Sequence, residues 1–137
     1  MKVTDIPFNS HVGIRENGDG SLEIAGSDNL LNHLGTVHAS AQFALAEAAG
    51  GAFLKARFPE LEGKVVPVVR ASEVKFRKPA SGALSAHASV SGEAAESFLA
   101  QLERKGRGLI TVSVDIQDAE GTVTASARYD WFIQRMG

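Results

Sequence analysis

The sequence predicts an α+β fold in which an antiparallel sheet of about five to six strands wraps around one long central helix. Three observations predict it. The stretch from Ala39 to Leu54 is rich in helix formers and carries a single charge, Glu47. Segments of alternating apolar and polar residues occur before and after it, and turn sequences join them in pairs. At 137 residues, the chain is expected to form one domain, residues 1–137.

The segments before the central helix predict a hairpin and a loop. Residues 12–16 and 22–24 are strand-like, and the Asn-Gly-Asp-Gly sequence at 17–20 supplies the positive φ angles of a tight turn. Residues 27–37 contain Asn and Gly at several positions and predict a loop. The helix then runs from Ala39 to about Phe58, where the following proline ends it.

Four further strands and a second helix follow. Residues 65–76 are β-branched, and residues 84–90 alternate between small apolar and polar side chains. Residues 93–105 place their apolar side chains on one stripe, as a short amphipathic helix does. The clearest hairpin is formed by residues 110–116 and 123–133, which alternate strictly on either side of a turn.

Glu47 is the most informative residue of the central helix. Burying an ionised carboxylate costs several kcal/mol at least unless a partner compensates it, so Glu47 predicts a functional group or a satisfied ion pair. Without a donor nearby, its pKa should be raised. The alternative is an ordinary surface helix with Glu47 in water, but the polar face that such a helix needs is missing.

The central helix also predicts a second protein surface. One sheet covers one side of a helix, and this helix is apolar on every side, so we expect another copy of the chain to cover the rest. The Gly50-Gly51 pair would permit close backbone approach to that copy. The same pair could instead be a weak point near the helix end.

Composition excludes several classes of function. There is no cysteine, which excludes disulfides and thiolate chemistry, and the net charge of -2 gives no reason to expect nucleic acid as partner. His33 and His38 lack a third ligand, so no metal site is predicted. The first residues lack an apolar signal core and no membrane-spanning run occurs, so a cytoplasmic location without membrane association is expected.

A motif precedes the helix. Asn32, Gly35 and His38 are spaced by three residues, and Glu47 follows His38 by nine. This pattern, with the order of elements over nearly the whole chain, resembles the hotdog-fold thioesterases of the phenylacetic-acid-degradation type. The segment 72–80 is similar to the family's strand ending in Arg-Pro-Ala. The sequence departs from the family where Ala39 and Ser40 replace two glycines and where Glu stands in place of Asp.

The resemblance implies a hotdog fold and a pocket for thioesters, with coenzyme A as part of the substrate and no separate cofactor. It also implies a homodimer with sites shared between two subunits, and leaves open whether dimers pair further. A thioester hydrolase is therefore one interpretation. Because Ala39 and Ser40 stand where the glycines would be, a non-catalytic module that binds an acyl chain or an acyl-coenzyme A is the alternative.

Geometry adds a constraint on the mechanism. The first N–H groups of a helix are free donors, suited to a carbonyl oxygen that becomes an oxyanion. Glu47 shares a stripe with Ala39 but lies eight residues further on, or roughly 12 Å along the axis. One thioester carbon cannot meet both in one chain. We therefore expect the helix start of one subunit to face Glu47 of another.

Residue roles follow as hypotheses. Ala39 N–H, with His38, polarises the carbonyl, while Glu47 either activates water as general base or attacks directly through an anhydride. Asn32 orients the water or the carbonyl. Each of these polar residues could instead only stabilise the loop or the helix terminus. The basic residues named next could likewise be solvated side chains at strand edges. The residues expected to bind substrate are Gly35, Ser40, Phe43, Arg77, Lys78 and Arg107.

Overall fold

The computed structural model describes residues 1–137 and confirms the α+β prediction. It contains three α-helices and six strands, with short 3-10 turns at Val3–Asp5, Asp28–Leu30 and Pro59–Leu61. In chain order the elements are α1 (Pro7–Val12), β1 (Arg15–Glu16), β2 (Leu22–Ile24), α2 (Ala39–Arg57), β3 (Val65–Phe76), β4 (Leu84–Ser89), α3 (Gly92–Lys105), β5 (Arg107–Gln117) and β6 (Val123–Arg135).

All six strands form one antiparallel sheet in the order β1-β2-β4-β5-β6-β3. The predicted 110–133 hairpin is its centre, extended at both ends as β5 and β6. Strand β3 pairs with β6 along one side only and is therefore an edge strand, twelve residues long. A long unpaired edge is a template for pairing with another strand.

Helix α2 begins where His38 caps it and ends at Arg57, one residue before the predicted Phe58. Lys55 and Arg57 occupy its last turn, where cations suit the helix dipole. It packs across the concave face of the sheet against β2, β4, β5 and β6, and makes little contact with β3. A gap therefore remains between α2 and the edge strand. No helix in the chain combines the length and the apolar character that crossing a membrane requires.

The core lies between α2 and the inner face of the sheet. Alternate residues of β5 and β6 are buried there, with Tyr129 completely enclosed. Gly50 and Gly51 approach the chain's own sheet: a Cβ on Gly50 would lie 3.3 Å from Trp131 Nε1, and one on Gly51 would lie 3.4 Å from the same ring. Within the chain, the absence of side chains at Gly50 and Gly51 lets α2 approach the ring of Trp131.

The N-terminal segment differs from its prediction. Only Arg15–Glu16 is a strand, and Val12 ends the unpredicted helix α1 instead. Pro7 at the first helical turn and Gly13, whose φ of 88° is left-handed, are the start and stop signals of that helix. His11 lies in the last turn of this helix.

The sheet covers α2 only in part. Nine of its residues are buried, but Phe43 is 38% exposed and Glu47 is half-buried. Ser40, Phe43 and Glu47 follow one another at the helical spacing and form a stripe that the chain's own sheet leaves uncovered.

Candidate functional site

A groove of about 450 Å³ lies over this uncovered stripe. Helix α2 supplies one wall, with Ala39 and Ser40 at one end and Glu47 at the other, and the end of β3 supplies Phe76. Helix α1 adds Phe8 and Asn9. We call this the Glu47 groove. Its volume falls within the range of small-molecule sites in proteins.

Glu47 is the only ionisable side chain in the groove. Partial burial raises the pKa of its carboxyl above the usual value, and no donor offsets that effect. The chain's three salt bridges join other residues. A carboxyl that is desolvated and unpaired costs stability, and such groups are concentrated at functional sites.

Tyr129 lies beneath the Glu47 stripe. Its hydroxyl donates to the backbone oxygen of Phe43 at 2.8 Å, and its ring meets that of Phe43 edge-on at 5.3 Å between centroids. Burial and the charge of Glu47 both raise the pKa of Tyr129. The phenol therefore stays protonated and fixes this turn of α2 against β6.

The start of α2 offers a free donor. His38 Nδ1 accepts from Ser40 N at 2.9 Å, and the His38 carbonyl accepts from Ala41 N and Gln42 N. The N–H of Ala39 makes no hydrogen bond, and Ala39 lines the Glu47 groove. Capping thus satisfies the first turn except at this one amide hydrogen.

The preceding loop is held together by Asn32. Its Oδ1 accepts from Leu34 N at 2.9 Å and Thr36 N at 3.1 Å, while its Nδ2 donates to Thr36 Oγ1 at 2.9 Å. Gly35 has a φ of 78°, which this turn requires. Asn32 and Gly35 are therefore engaged in shaping the loop that delivers His38 and Ala39.

A second depression of about 330 Å³ adjoins the groove and is lined by Asn32, Arg77 and Lys78. We call it the basic basin. It shares Ala39 and Phe76 with the Glu47 groove, so the two depressions meet at these residues. Arg77 Nε donates to Ser126 Oγ at 2.9 Å, and Arg77 also lines a separate depression that contains Ser126.

The predicted residues divide into three sets. The groove brings together Ala39, Ser40, Phe43 and Glu47. The basin holds Asn32, Arg77 and Lys78. His38 caps the start of α2, and Gly35 lies in the loop before it. Arg107 lies at the far end of the sheet, opposite Gln134 and away from both depressions. Within one chain, Arg107 does not reach the site.

Sequence reasoning missed Phe8, Phe76 and Tyr129. Tyr129 and Phe76 occupy alternating strand positions, so their types and spacing show only that they belong to a sheet. Phe8 could have been found from Pro7 and Gly13, which bracket a helix, although nothing in the sequence places that helix beside α2.

Another cavity, of about 350 Å³, lies at the opposite end of α2 between Leu54, Phe58 and Ile133. Its two charged side chains, Lys55 and Glu62, are paired at 3.3 Å. It therefore offers no free reactive group, and we place the chemistry in the Glu47 groove. The chain contains no group of three or more His, Asp or Glu side chains arranged to hold a metal ion.

Comparison with known proteins gives a family and a fold. The family described as Domain of unknown function (DUF4442) matches residues 11–133. No protein of curated function matches the sequence.

Solved structures match along nearly the whole chain. A Pseudomonas aeruginosa protein named a probable thioesterase has a TM-score of 0.81 and 23% identity, covering 98% of this chain and 91% of its own. A Haemophilus influenzae thioesterase has a TM-score of 0.75 and 20% identity, covering 97% and 86%. A Bacillus halodurans protein solved with CoA has a TM-score of 0.70 and 20% identity, covering 92% and 74%. These likenesses confirm the hotdog fold.

Proposed function

The chain belongs to the DUF4442 family, and we propose that it is a thioesterase that hydrolyses acyl-coenzyme A or a related thioester in sites shared between two copies of the chain. One observation carries this proposal: an unpaired, partly desolvated carboxyl lines the same groove as Ala39, whose N–H at the helix start makes no hydrogen bond. The first suits a base, and the second suits a developing oxyanion.

The reaction needs no group beyond water and these residues. Glu47 accepts a proton from water as the water oxygen attacks the thioester carbonyl carbon. The carbonyl oxygen becomes an oxyanion that accepts a hydrogen bond from Ala39 N–H. When the C–S bond breaks, the thiolate takes the proton, and the products are a carboxylic acid and a thiol. Direct attack by Glu47 through an anhydride is the rival route.

The separation of the two groups supports a two-subunit site. Ala39 and Glu47 are eight residues apart on a straight helix, roughly 12 Å, too far for one carbonyl carbon to reach both. Strand β3 has an unpaired edge beside the groove. A two-fold pairing through that edge would run two α2 helices antiparallel and bring Ala39 of one copy towards Glu47 of the other.

The basic basin supports a coenzyme A thioester. Arg77 and Lys78 provide two cations next to Ala39, where phosphates of the thiol part could bind while the carbonyl meets the N–H. The structurally similar protein from Bacillus halodurans was solved with CoA, which agrees with this substrate class. In this arrangement, His38 and Asn32 act as positioning residues for the helix start.

The test is a panel of acyl-coenzyme A substrates assayed with the wild type and with Glu47→Gln. We expect the wild type to release thiol from at least one of them, and Glu47→Gln to lose at least about 10³-fold in kcat, because Gln cannot accept the proton. Glu96→Gln is the matched control, since Glu96 is an exposed acid on α3. Its activity should equal that of the wild type.

Two outcomes would contradict the proposal. Hydrolysis retained in Glu47→Gln would remove Glu47 from the mechanism. Saturable binding of acyl-coenzyme A with no Glu47-dependent turnover would make the protein a binding module instead of an enzyme.

A further inference from the structure

The Glu47 groove has an aromatic wall built from three separate elements. Phe8 of α1, Phe43 of α2 and Phe76 of β3 line it, and they are 62%, 38% and 48% exposed. Exposed phenyl rings gathered at one groove indicate a surface that binds something apolar. No Lys or Arg side chain lines this groove. The groove therefore suits the uncharged part of a ligand, not its phosphates.

The order of the two depressions gives the ligand a direction. The basic basin and the groove meet at Ala39 and Phe76. A thioester with its carbonyl oxygen at Ala39 N–H would extend its thiol part towards Arg77 and Lys78. Its acyl part would then point the other way, into the space between the three rings.

Phe8 is held firmly enough to act as part of that wall. The next residue, Asn9, is buried at 5% exposure, and its Nδ2 donates to Val3 O at 3.0 Å. The Asn9 carbonyl accepts from Gly13 N and Ile14 N, which closes the end of α1. The turn that carries Phe8 is thus anchored on its inner side, while the phenyl ring itself stays free for contact.

We propose that Phe8 is a specificity-determining residue and that the aromatic wall selects thioesters with a bulky apolar acyl group over acetyl thioesters. The identity of the ligand rests on the proposed thioesterase function. A groove of about 450 Å³ has room for such a group. Each methylene that it covers should raise affinity by about fourfold. The property that the wall selects is a large apolar acyl group, which can be either an alkyl chain or an aryl ring.

The experiment separates binding from hydrolysis. Non-hydrolysable coenzyme A thioethers carrying ethyl, hexyl and benzyl groups are titrated calorimetrically into the wild type, Phe8→Ala and Ile6→Ala. Ile6 is the matched control because it is exposed beside α1 but does not line the groove. The same variants are assayed for hydrolysis of acetyl-, hexanoyl- and benzoyl-coenzyme A.

We expect Phe8→Ala to weaken binding of the hexyl or benzyl thioether by about tenfold and to leave the ethyl thioether unchanged. Whichever of the two responds identifies the alkyl or aryl source. Ile6→Ala should behave as the wild type. The kcat/KM values for the matching substrates should fall in the same ratio.

The outcomes distinguish this proposal from the proposed function. If the wild type hydrolyses no substrate but Phe8→Ala loses the binding preference for the larger thioethers, the role of Phe8 is supported and the thioesterase function is contradicted. Hydrolysis with unchanged preference in Phe8→Ala contradicts Phe8 alone. Binding of no thioether by the wild type, or dissociation of the oligomer by Phe8→Ala in sedimentation, also overturns the assignment, since the ring would then be a subunit contact.

Discussion

Two faces of α2 each carry a polar side chain, and the two side chains differ in hydrogen bonding. On the face packed against the sheet, Gln42 is 4% exposed, and its Oε1 accepts a hydrogen bond from the buried Thr124 Oγ1 at 2.8 Å. On the uncovered stripe, five residues further on, Glu47 is half-buried beside Phe43 with no donor, and its pKa is raised. The side-chain oxygen of Gln42 has a hydrogen-bond partner, and the carboxyl of Glu47 has none.

The difference separates structure from function within one helix. A buried amide whose oxygen has a partner holds α2 in register on the sheet. A desolvated carboxyl without a partner is destabilising, so its presence needs another reason. Changes on the sheet face should therefore alter stability and spare activity, and changes on the stripe should do the reverse.

After the loss of activity expected for Glu47→Gln, the largest effect concerns the backbone donor at the start of α2. Ala39→Pro removes only the free N–H, because proline is well suited to the first helical position and His38, with φ -60° and ψ 140°, already has the conformation that precedes proline. Hydrolysis should fall by about 10²–10³-fold with folding intact. Ala39→Gly keeps the N–H and should stay active. Equal activity of Ala39→Pro and the wild type would exclude this amide as the oxyanion donor.

The next effect belongs to the sheet face. Thr124→Val keeps the shape but leaves Gln42 Oε1 buried without its partner, so the free energy of unfolding should fall by about 1–3 kcal/mol, measured by urea denaturation. The kcat should not change. The double variant Gln42→Leu with Thr124→Val should recover much of the stability. A loss of activity in Thr124→Val, measured at urea concentrations where the variant is folded, would show that the sheet face of α2 also contributes to activity.

A smaller effect of opposite sign is expected for the stability of Glu47→Gln. Because the folded-state pKa of Glu47 is raised, the folded protein binds a proton more readily than the unfolded chain, and stability is lost as pH rises through that window. At pH 7 the neutral Gln should therefore stabilise the fold slightly, since it carries no charge to desolvate. Thermal melts should show this gain at pH 7 and its disappearance below the ordinary carboxyl pKa.

The same pKa predicts the activity profile. A general base works only when ionised, so kcat/KM should fall as pH drops through the raised pKa of Glu47, and the midpoint should lie above the usual 4.5. Stability and activity would then respond to pH in opposite directions around one residue. A midpoint at or below 4.5 would show that the groove does not desolvate the carboxyl during turnover.

Sequence patterns predicted the fold well and the site in part. Strict alternation in 110–133 and the alanine-rich helix identified the sheet and α2, because these periodicities depend only on which face is buried. Glu47 and Ala39 could be singled out from the sequence because a lone acid and a helix start are visible in the chain, and the structure places both residues in one groove. The aromatic wall could not be predicted, because Phe8, Phe43 and Phe76 come together only through tertiary packing. The sequence also could not show that Arg107 lies away from the groove within one chain, since charge clusters in sequence carry no position on the sheet.

The most direct test of the shared site is complementation between two inactive variants. Glu47→Gln and Ala39→Pro are mixed, unfolded and refolded together. If Glu47 works with Ala39 of the other copy, each hybrid dimer has one intact site, and activity should return to about a quarter of the wild type, since half of randomly mixed dimers are hybrids. Activity that stays at the level of the separate variants, with hybrids shown to form, would contradict a site built from two chains.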